Sequence, residues 1–134
     1  MRGISMKTLA LTGRSILVVE DEPLIALDLR NTFESAGAYV FAATQLPHAL
    51  QLAGHPDLSA AVLDYRLADG DCTPICTLLS ERSVPFVFYS GYDDMREQWS
   101  HAVRVPKPAS PPELIQAVTE VLRSSFDQTR SRAA

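Results

Sequence analysis

The chain has 134 residues, with 12 Lys and Arg against 16 Asp and Glu, so its formal net charge is −4. This length corresponds to one domain, and 46% hydrophobic with 21% charged residues is ordinary for a folded core. A mildly acidic chain with a pI near 5.3 and no dense basic stripe argues against nucleic acid as a direct partner.

The sequence favours a cytoplasmic location without membrane contact. The longest wholly apolar runs, residues 16–19 and 60–63, are too short to span a bilayer, and the amino terminus lacks the hydrophobic stretch of a signal peptide. Cys72 and Cys76 lie four residues apart with no further Cys or His nearby. This spacing argues against a zinc site and against a secreted disulfide framework, so we expect reduced thiols.

Short apolar strands and amphipathic helices alternate along the chain. The β-branched run at residues 15–19 predicts a strand covered on both faces, other short apolar runs predict further strands, and apolar residues three or four apart predict helices between them. The predicted elements are, in chain order, strand Ser15–Val19, helix Pro23–Ala36, strand Tyr39–Ala42, helix Leu46–Ala53, strand Ala60–Leu63, helix Thr73–Arg82, strand Phe86–Tyr89, strand His101–Val105 and a last helix from Pro111 to Phe126.

Both ends of the chain lack such a pattern. Residues 1–14 and 127–134 are aperiodic, which predicts flexible arms on either side of a domain at residues 15–126.

The starts of two helices carry capping signals, and one connection is weakly patterned. Thr44 is the expected N-cap of the second helix, and Ser110 with Glu113 has the spacing of a capping box before the last helix. Residues 65–70 predict a loop. Residues 93–101 are mostly polar, so the fourth helix is expected to be short or disordered.

Polar residues follow four of the five predicted strands. Strands alternating with helices predict an α/β domain with a parallel sheet, in which sites form outside the carboxyl ends of the strands. Glu20 and Asp21 follow the first strand, Asp64 the third, Ser90 the fourth and Lys107 the fifth. We expect these five residues to converge in one crevice.

The residue types in this crevice point to phosphoryl transfer. Three carboxylates would repel one another unless a hard cation lies among them, and oxygen ligands suit Mg²⁺. Lys107 would add a fixed positive charge and Ser90 a hydroxyl donor. These are the groups needed to transfer a phosphoryl group onto the carboxylate of Asp64.

Four motifs in this order resemble the receiver domains of two-component response regulators. They are Leu17-Val18-Val19-Glu20-Asp21-Glu22, Val62-Leu63-Asp64-Tyr65-Arg66-Leu67 followed by Asp69-Gly70, Tyr89-Ser90-Gly91, and Pro106-Lys107-Pro108. The resemblance covers residues 15–126 and implies a flavodoxin-like (βα)5 fold, a doubly wound parallel sheet.

The resemblance also implies a role for each site residue. Asp64 would accept a phosphoryl group from a histidine kinase or a histidine phosphotransfer protein, while Ser90 and Lys107 contact the phosphoryl oxygens. The Lys107–Pro108 bond is expected to be cis. The implied ligands of Mg²⁺ are Glu20, Asp21, Asp64 and the backbone carbonyl of Arg66.

The sequence departs from the receiver pattern at one switch position. Typical receivers carry an aromatic residue three positions before the lysine, where this chain has Arg104. Residues 85–92 resemble instead a single-domain subclass with a Phe-Ala-Thr-Gly-Tyr-like signature, associated with HWE-type kinases. Ser90, Tyr92 and Arg104 are therefore the switch candidates, and we hypothesise that Tyr92 substitutes for the missing aromatic residue.

The expected function is that of a stand-alone receiver, which catalyses only its own phosphorylation and dephosphorylation. It would signal by contact with an unknown downstream protein or act as a phosphate sink. The face made by the fourth and fifth strands and the last helix is the expected contact surface. The sequence does not decide whether two copies of the chain also form a homodimer through this face.

Three alternatives remain. They are an interaction module that is not phosphorylated, a receiver fragment of a hybrid kinase, and a Mg²⁺-dependent phosphatase with an aspartyl nucleophile. Arg66 counts against the phosphatase, because such enzymes usually need a second acid two residues after the nucleophile.

Overall fold

Strands and helices follow one another in the order that the sequence predicts. The computed structural model describes residues 9–91, 99 and 102–133. Its elements are β1 (Ser15–Val19), α1 (Pro23–Ser35), β2 (Tyr39–Ala43), α2 (Leu46–Ala53), β3 (Ala60–Leu63), β4 (Arg66–Leu67), β5 (Gly70–Asp71), α3 (Thr73–Glu81), β6 (Phe86–Ser90), β7 (Arg104–Pro106) and α4 (Pro111–Ala133).

Five strands form one parallel sheet in the order β2-β1-β3-β6-β7. Every neighbouring pair in it runs parallel, with Val19 beside Leu63 in the central pair and Ser90 beside Pro106 at the edge. The first strand is therefore interior, and the chain crosses over it to build both halves. This confirms the predicted doubly wound parallel sheet.

Helices cover both faces of this sheet because successive side chains of a strand point to opposite sides. Leu17 and Val19 of β1 pack in one apolar cluster with residues of α2 and α3. Ile16 and Val18 pack in a second cluster with Leu29 of α1 and residues of α4. All five residues of β1 are buried, as expected for a strand covered on both faces.

The connection after β3 is more ordered than the predicted loop at residues 65–70. A two-stranded antiparallel ribbon, β4 with β5, pairs Arg66 with Asp71 and Leu67 with Gly70. Gly70 has a φ of 139°, a conformation that favours glycine. Leu67 is buried in the cluster under α2 and α3, so an apolar contact holds the ribbon against the domain.

The predicted flexible arm at residues 1–14 is wrong for residues 9–14. Leu11 is fully buried against the α1 and α4 face, and its N–H donates to the carbonyl of Ala36 at 2.9 Å. The carbonyl of Arg14 accepts the N–H of Tyr39 at 2.8 Å. A single anchoring leucine creates no periodicity, so the sequence pattern misses it. Residues 1–8 lie outside the described residues.

The boundaries of two elements differ from the predicted ones, and one predicted helix falls on residues that the structure does not describe. Helix α4 continues to Ala133 instead of ending near Phe126, so it includes residues 127–133 of the predicted flexible tail. The sequence of residues 127–133 is mostly polar and lacks the apolar spacing on which the prediction relied. Strand β7 spans only Arg104–Pro106. The expected short fourth helix falls on residues 92–98 and 100–101, which are not described.

The two cysteines are free, buried thiols, as expected. Their Sγ atoms lie 3.6 Å apart within the cluster under α2 and α3. The hydrogen bond with Cys76 and burial raise the pKa of Cys72, so its thiol stays protonated.

None of the described helices combines the length and apolar character needed to cross a membrane.

Replacing Leu11 with Ala should lower the free energy of unfolding by about 3 kcal/mol, because it leaves a cavity in the core. Urea denaturation followed by circular dichroism measures this change. Leu9→Ala is the matched control, since Leu9 is 52% exposed and its loss should cost less than about 0.5 kcal/mol. Equal effects of the two substitutions would contradict the anchoring of this segment.

Candidate phosphoacceptor and metal site

The parallel sheet brings all five predicted site residues to its carboxyl edge. Glu20 and Asp21 follow β1, Asp64 follows β3, Ser90 ends β6 and Lys107 follows β7. The backbone pairing extends past the strands and fixes these positions. The N–H of Asp64 donates to the carbonyl of Val19 at 2.9 Å, and the N–H of Lys107 donates to the carbonyl of Ser90 at 3.1 Å.

Three carboxylates meet at this edge as predicted. Glu20, Asp21 and Asp64 each present one carboxylate oxygen within 4.8 Å of the other two. Glu20 is buried, whereas Asp21 and Asp64 are half-buried. Such a set of oxygen ligands suits a hard divalent cation such as Mg²⁺.

The ammonium of Lys107 lies between two of these carboxylates. Its Nζ donates to Oε1 of Glu20 at 2.6 Å and to Oδ2 of Asp64 at 3.2 Å. The Lys107–Pro108 peptide bond is cis, as the resemblance implied. The lysine predicted to be a fixed positive charge beside the carboxylates therefore occupies that place.

Burial and charge shift the protonation of this pair. Burial raises the pKa of Glu20 to about 7, and the nearby charge of Asp64 adds to the increase. The bond from Lys107 and the N–H of Glu22, 3.2 Å from Oε2, oppose that increase without cancelling it. Burial also disfavours the charged lysine, but the two carboxylates outweigh burial and raise the pKa of Lys107.

Ser90 and Arg104 are neighbours at the edge of the sheet. Ser90 is buried, and its carbonyl accepts hydrogen bonds from the Lys107 backbone and from Nη2 of Arg104 at 3.3 Å. The half-buried Arg104 therefore contacts the strand that carries the site hydroxyl. Its role as a switch stays a prediction, and Tyr92, the proposed substitute aromatic, lies outside the described residues.

The ribbon after Asp64 is tied to two helices by carboxylates. Oδ2 of Asp69 accepts the N–H of Leu46 at 3.1 Å, and Oδ1 of Asp71 accepts the N–H of Thr73 at 2.9 Å. Both aspartates thus cap helices, as loop carboxylates often do. Arg66, whose carbonyl is the predicted fourth metal ligand, pairs with Asp71 within this ribbon.

The prediction of Thr44 as the N-cap of α2 is wrong. The N-cap is Gln45, whose side chain makes no capping bond, and the carboxylate of Asp69 caps the helix from 23 residues away. Sequence spacing reveals only caps within the first helical turn, so a cap supplied by another element leaves no local signal. The capping box of Ser110 and Glu113 is local, and its contacts are present at 3.0 to 3.4 Å.

The response regulator receiver domain family matches residues 16–119. This range is well over half of the chain, so the chain belongs to that family of signalling domains. The phyllosphere-induced regulator PhyR of Methylorubrum extorquens is 30% identical over 124 residues, which cover 87% of this chain and 46% of PhyR. The chain thus spans about half the length of this relative.

Solved structures share the fold. The receiver domain of a sensor histidine kinase from Pseudomonas aeruginosa, described with a magnesium ion coordinated in its active-site cleft, is 21% identical with a TM-score of 0.73, covering 83% of this chain and 98% of that one. A mutant of the anti-anti-sigma factor PhyR from Bartonella quintana is 20% identical with a TM-score of 0.73, covering 92% and 55%. These matches agree with the predicted flavodoxin-like fold.

Asp69→Ala should lower the free energy of unfolding by about 1 kcal/mol, because it removes the cap of α2. Urea denaturation measures this change. Asp28→Ala, at an exposed position within α1, is the control, and it should be neutral or slightly stabilising because Ala is the better helix former. A neutral Asp69→Ala would show that its contact with Leu46 does not stabilise α2.

Proposed function

We propose that this chain is a response regulator receiver that is phosphorylated on Asp64. The observation that carries the proposal is the position of Lys107, whose ammonium lies within hydrogen-bond distance of both Glu20 and Asp64. An ammonium ion and a cluster of carboxylates at one sheet edge can neutralise a transferring phosphoryl group, while one carboxylate remains as the attacking group.

The residues at the site fit Mg²⁺, and we assign its ligands to Glu20, Asp21, Asp64 and the carbonyl of Arg66. When bound, Mg²⁺ offsets the negative charge on the phosphoryl oxygens. Its binding also requires Glu20 to be ionised.

In the proposed reaction, a carboxylate oxygen of Asp64 attacks the phosphorus of the donor. The new O–P bond forms as the bond from phosphorus to the donor's histidine nitrogen, or to the acetyl oxygen of acetyl phosphate, breaks. Lys107 then exchanges its contact with Asp64 for one with a phosphoryl oxygen, and the hydroxyl of Ser90 donates to another. The donor in the cell would be a histidine kinase, including the HWE type, or a histidine phosphotransfer protein.

The output we favour is contact with another protein. The Bartonella quintana protein that shares this fold is described as an anti-anti-sigma factor, and by analogy we propose that this chain also acts through another protein. Ser90 ends β6, and its carbonyl accepts a hydrogen bond from Arg104 of β7, so a change at the buried Ser90 would reach the face of β6, β7 and α4 through this contact. A homodimer through this face is a further form of the same output, and a phosphate sink is the second candidate function.

Incubation with acetyl phosphate and Mg²⁺ should add one phosphoryl mass to the protein, because Asp64 is the attacking group. Intact-mass spectrometry measures the gain. Asp64→Asn and omission of Mg²⁺ should each abolish it, whereas Asp57→Asn should keep it. Asp57 is a control because it lines a groove at the amino-terminal end of the sheet. Full labelling of Asp64→Asn would overturn the assignment.

Mg²⁺ should bind about tenfold more tightly at about pH 8 than at about pH 6, since the carboxyl of Glu20, with a pKa of about 7, must lose its proton first. Without Mg²⁺, the effect of pH on the free energy of unfolding has the opposite direction. The carboxyl of Glu20 has a pKa of about 7 in the folded state and about 4.5 in the unfolded state, so the folded state retains the proton to higher pH. The contribution of Glu20 to the stability of the fold therefore falls as the pH rises from about 4.5 to about 7.

Isothermal titration calorimetry at several pH values measures the change in Mg²⁺ affinity. The matched variant is Glu20→Gln, which should bind Mg²⁺ more weakly and with a flat dependence over the same range. An unchanged slope in this variant would assign the titration to another group.

A further inference from the structure

The segment that carries Lys107 is attached to β6 at both ends. The backbone N–H of Lys107 donates to the carbonyl of Ser90 at 3.1 Å. Two residues later, the backbone N–H of Ala109 donates to the hydroxyl of Tyr89 at 3.2 Å. Pro108 between them has no N–H, so this three-residue segment has only two backbone donors. Both donate to adjacent residues of β6.

The aromatic ring of Tyr89 also supports the charged end of Lys107. The Nζ atom lies 5.4 Å from the ring centroid, within the roughly 6 Å at which a ring face attracts a cation. Tyr89 is buried, and it lines a groove together with Leu29, Lys107 and Leu114. One side chain thus contacts both the backbone after Lys107 and the region of its ammonium.

We propose that Tyr89 is a positioning residue for Lys107 in phosphoryl transfer, which holds the ammonium at the site through its ring and the following backbone through its hydroxyl. This inference rests on the proposed function. It adds a residue that neither binds the metal nor touches the phosphoryl group.

The physical need for such a residue follows from the contacts of Lys107. Its two carboxylate contacts must loosen when Asp64 is phosphorylated and Glu20 binds a cation. The ring offers an attraction without a directional hydrogen bond, so it persists while the ammonium exchanges oxygen partners. A lysine side chain otherwise has considerable rotamer freedom, and ordering it in advance reduces the entropic cost of the reaction.

Two substitutions separate the two contacts. Tyr89→Leu removes the ring and the hydroxyl, and should slow labelling at saturating acetyl phosphate and Mg²⁺ by about tenfold. Tyr89→Phe removes only the hydroxyl, and should slow it by about threefold. Half-saturating Mg²⁺ should stay within about twofold in both variants, because Tyr89 is not a ligand. Phe88→Leu, a buried aromatic change on the opposite face of β6, should leave the saturated rate unchanged.

The decisive comparison repeats the Tyr89 substitutions in a Lys107→Gln background. If Tyr89 acts through Lys107, neither substitution slows the residual labelling further. The same slowing in both backgrounds, or equal slowing by Phe88→Leu, would overturn the inference. Tyr89→Phe keeps the ring volume, so it provides the test if Tyr89→Leu does not fold. Absence of labelling in the wild type would instead overturn the proposed function itself, with Tyr89 losing its role as a consequence.

Discussion

The ammonium of Lys107 among buried carboxylates is the interaction on which this edge of the domain depends. Glu20 is almost completely buried, next to Asp64 and within reach of Asp21. Burying a carboxylate without a counter-charge is expensive, because water no longer solvates it. A partly protonated Glu20 and a charged Lys107 reduce that cost in the absence of a metal. The site therefore has an internal cation beside Asp64, where the proposed phosphoryl group would also need one.

The residues around this interaction have two kinds of support, namely the buried central strands and peripheral segments held by specific contacts. Glu20 and Asp64 follow the central strands β1 and β3, whose residues are buried from both faces. Lys107 follows the edge strand β7, and the ribbon after Asp64 is fastened by carboxylates that cap α2 and α3. The acidic groups thus follow strands buried on both faces, whereas the lysine and the ribbon depend more on specific contacts, among them the Tyr89 ring and the capping carboxylates, with Leu67 as the apolar anchor of the ribbon.

The sequence predicted the sheet and the composition of the site because both depend on local patterns. Buried strands appear as continuous apolar runs, and the first polar residue after each run marks the carboxyl edge. Contacts between distant residues leave no such pattern. The burial of Leu11, the cap from Asp69 to Leu46 and the contact of Tyr89 with Ala109 each join separate elements through one side chain. Predicting them requires the packed structure.

The contact between Lys107 and Glu20 joins residues 87 positions apart, nearly the full span of the sheet in sequence. The acidic pair after β1 comes early in the chain, whereas the lysine is placed only when the edge strand β7 has joined β6. A chain in which β7 has not yet paired with β6 has the carboxylates of the site but lacks the charge of Lys107 beside them. Under the proposed function, phosphorylation of Asp64 would therefore depend on the pairing of β7 with β6, the step that completes the parallel sheet.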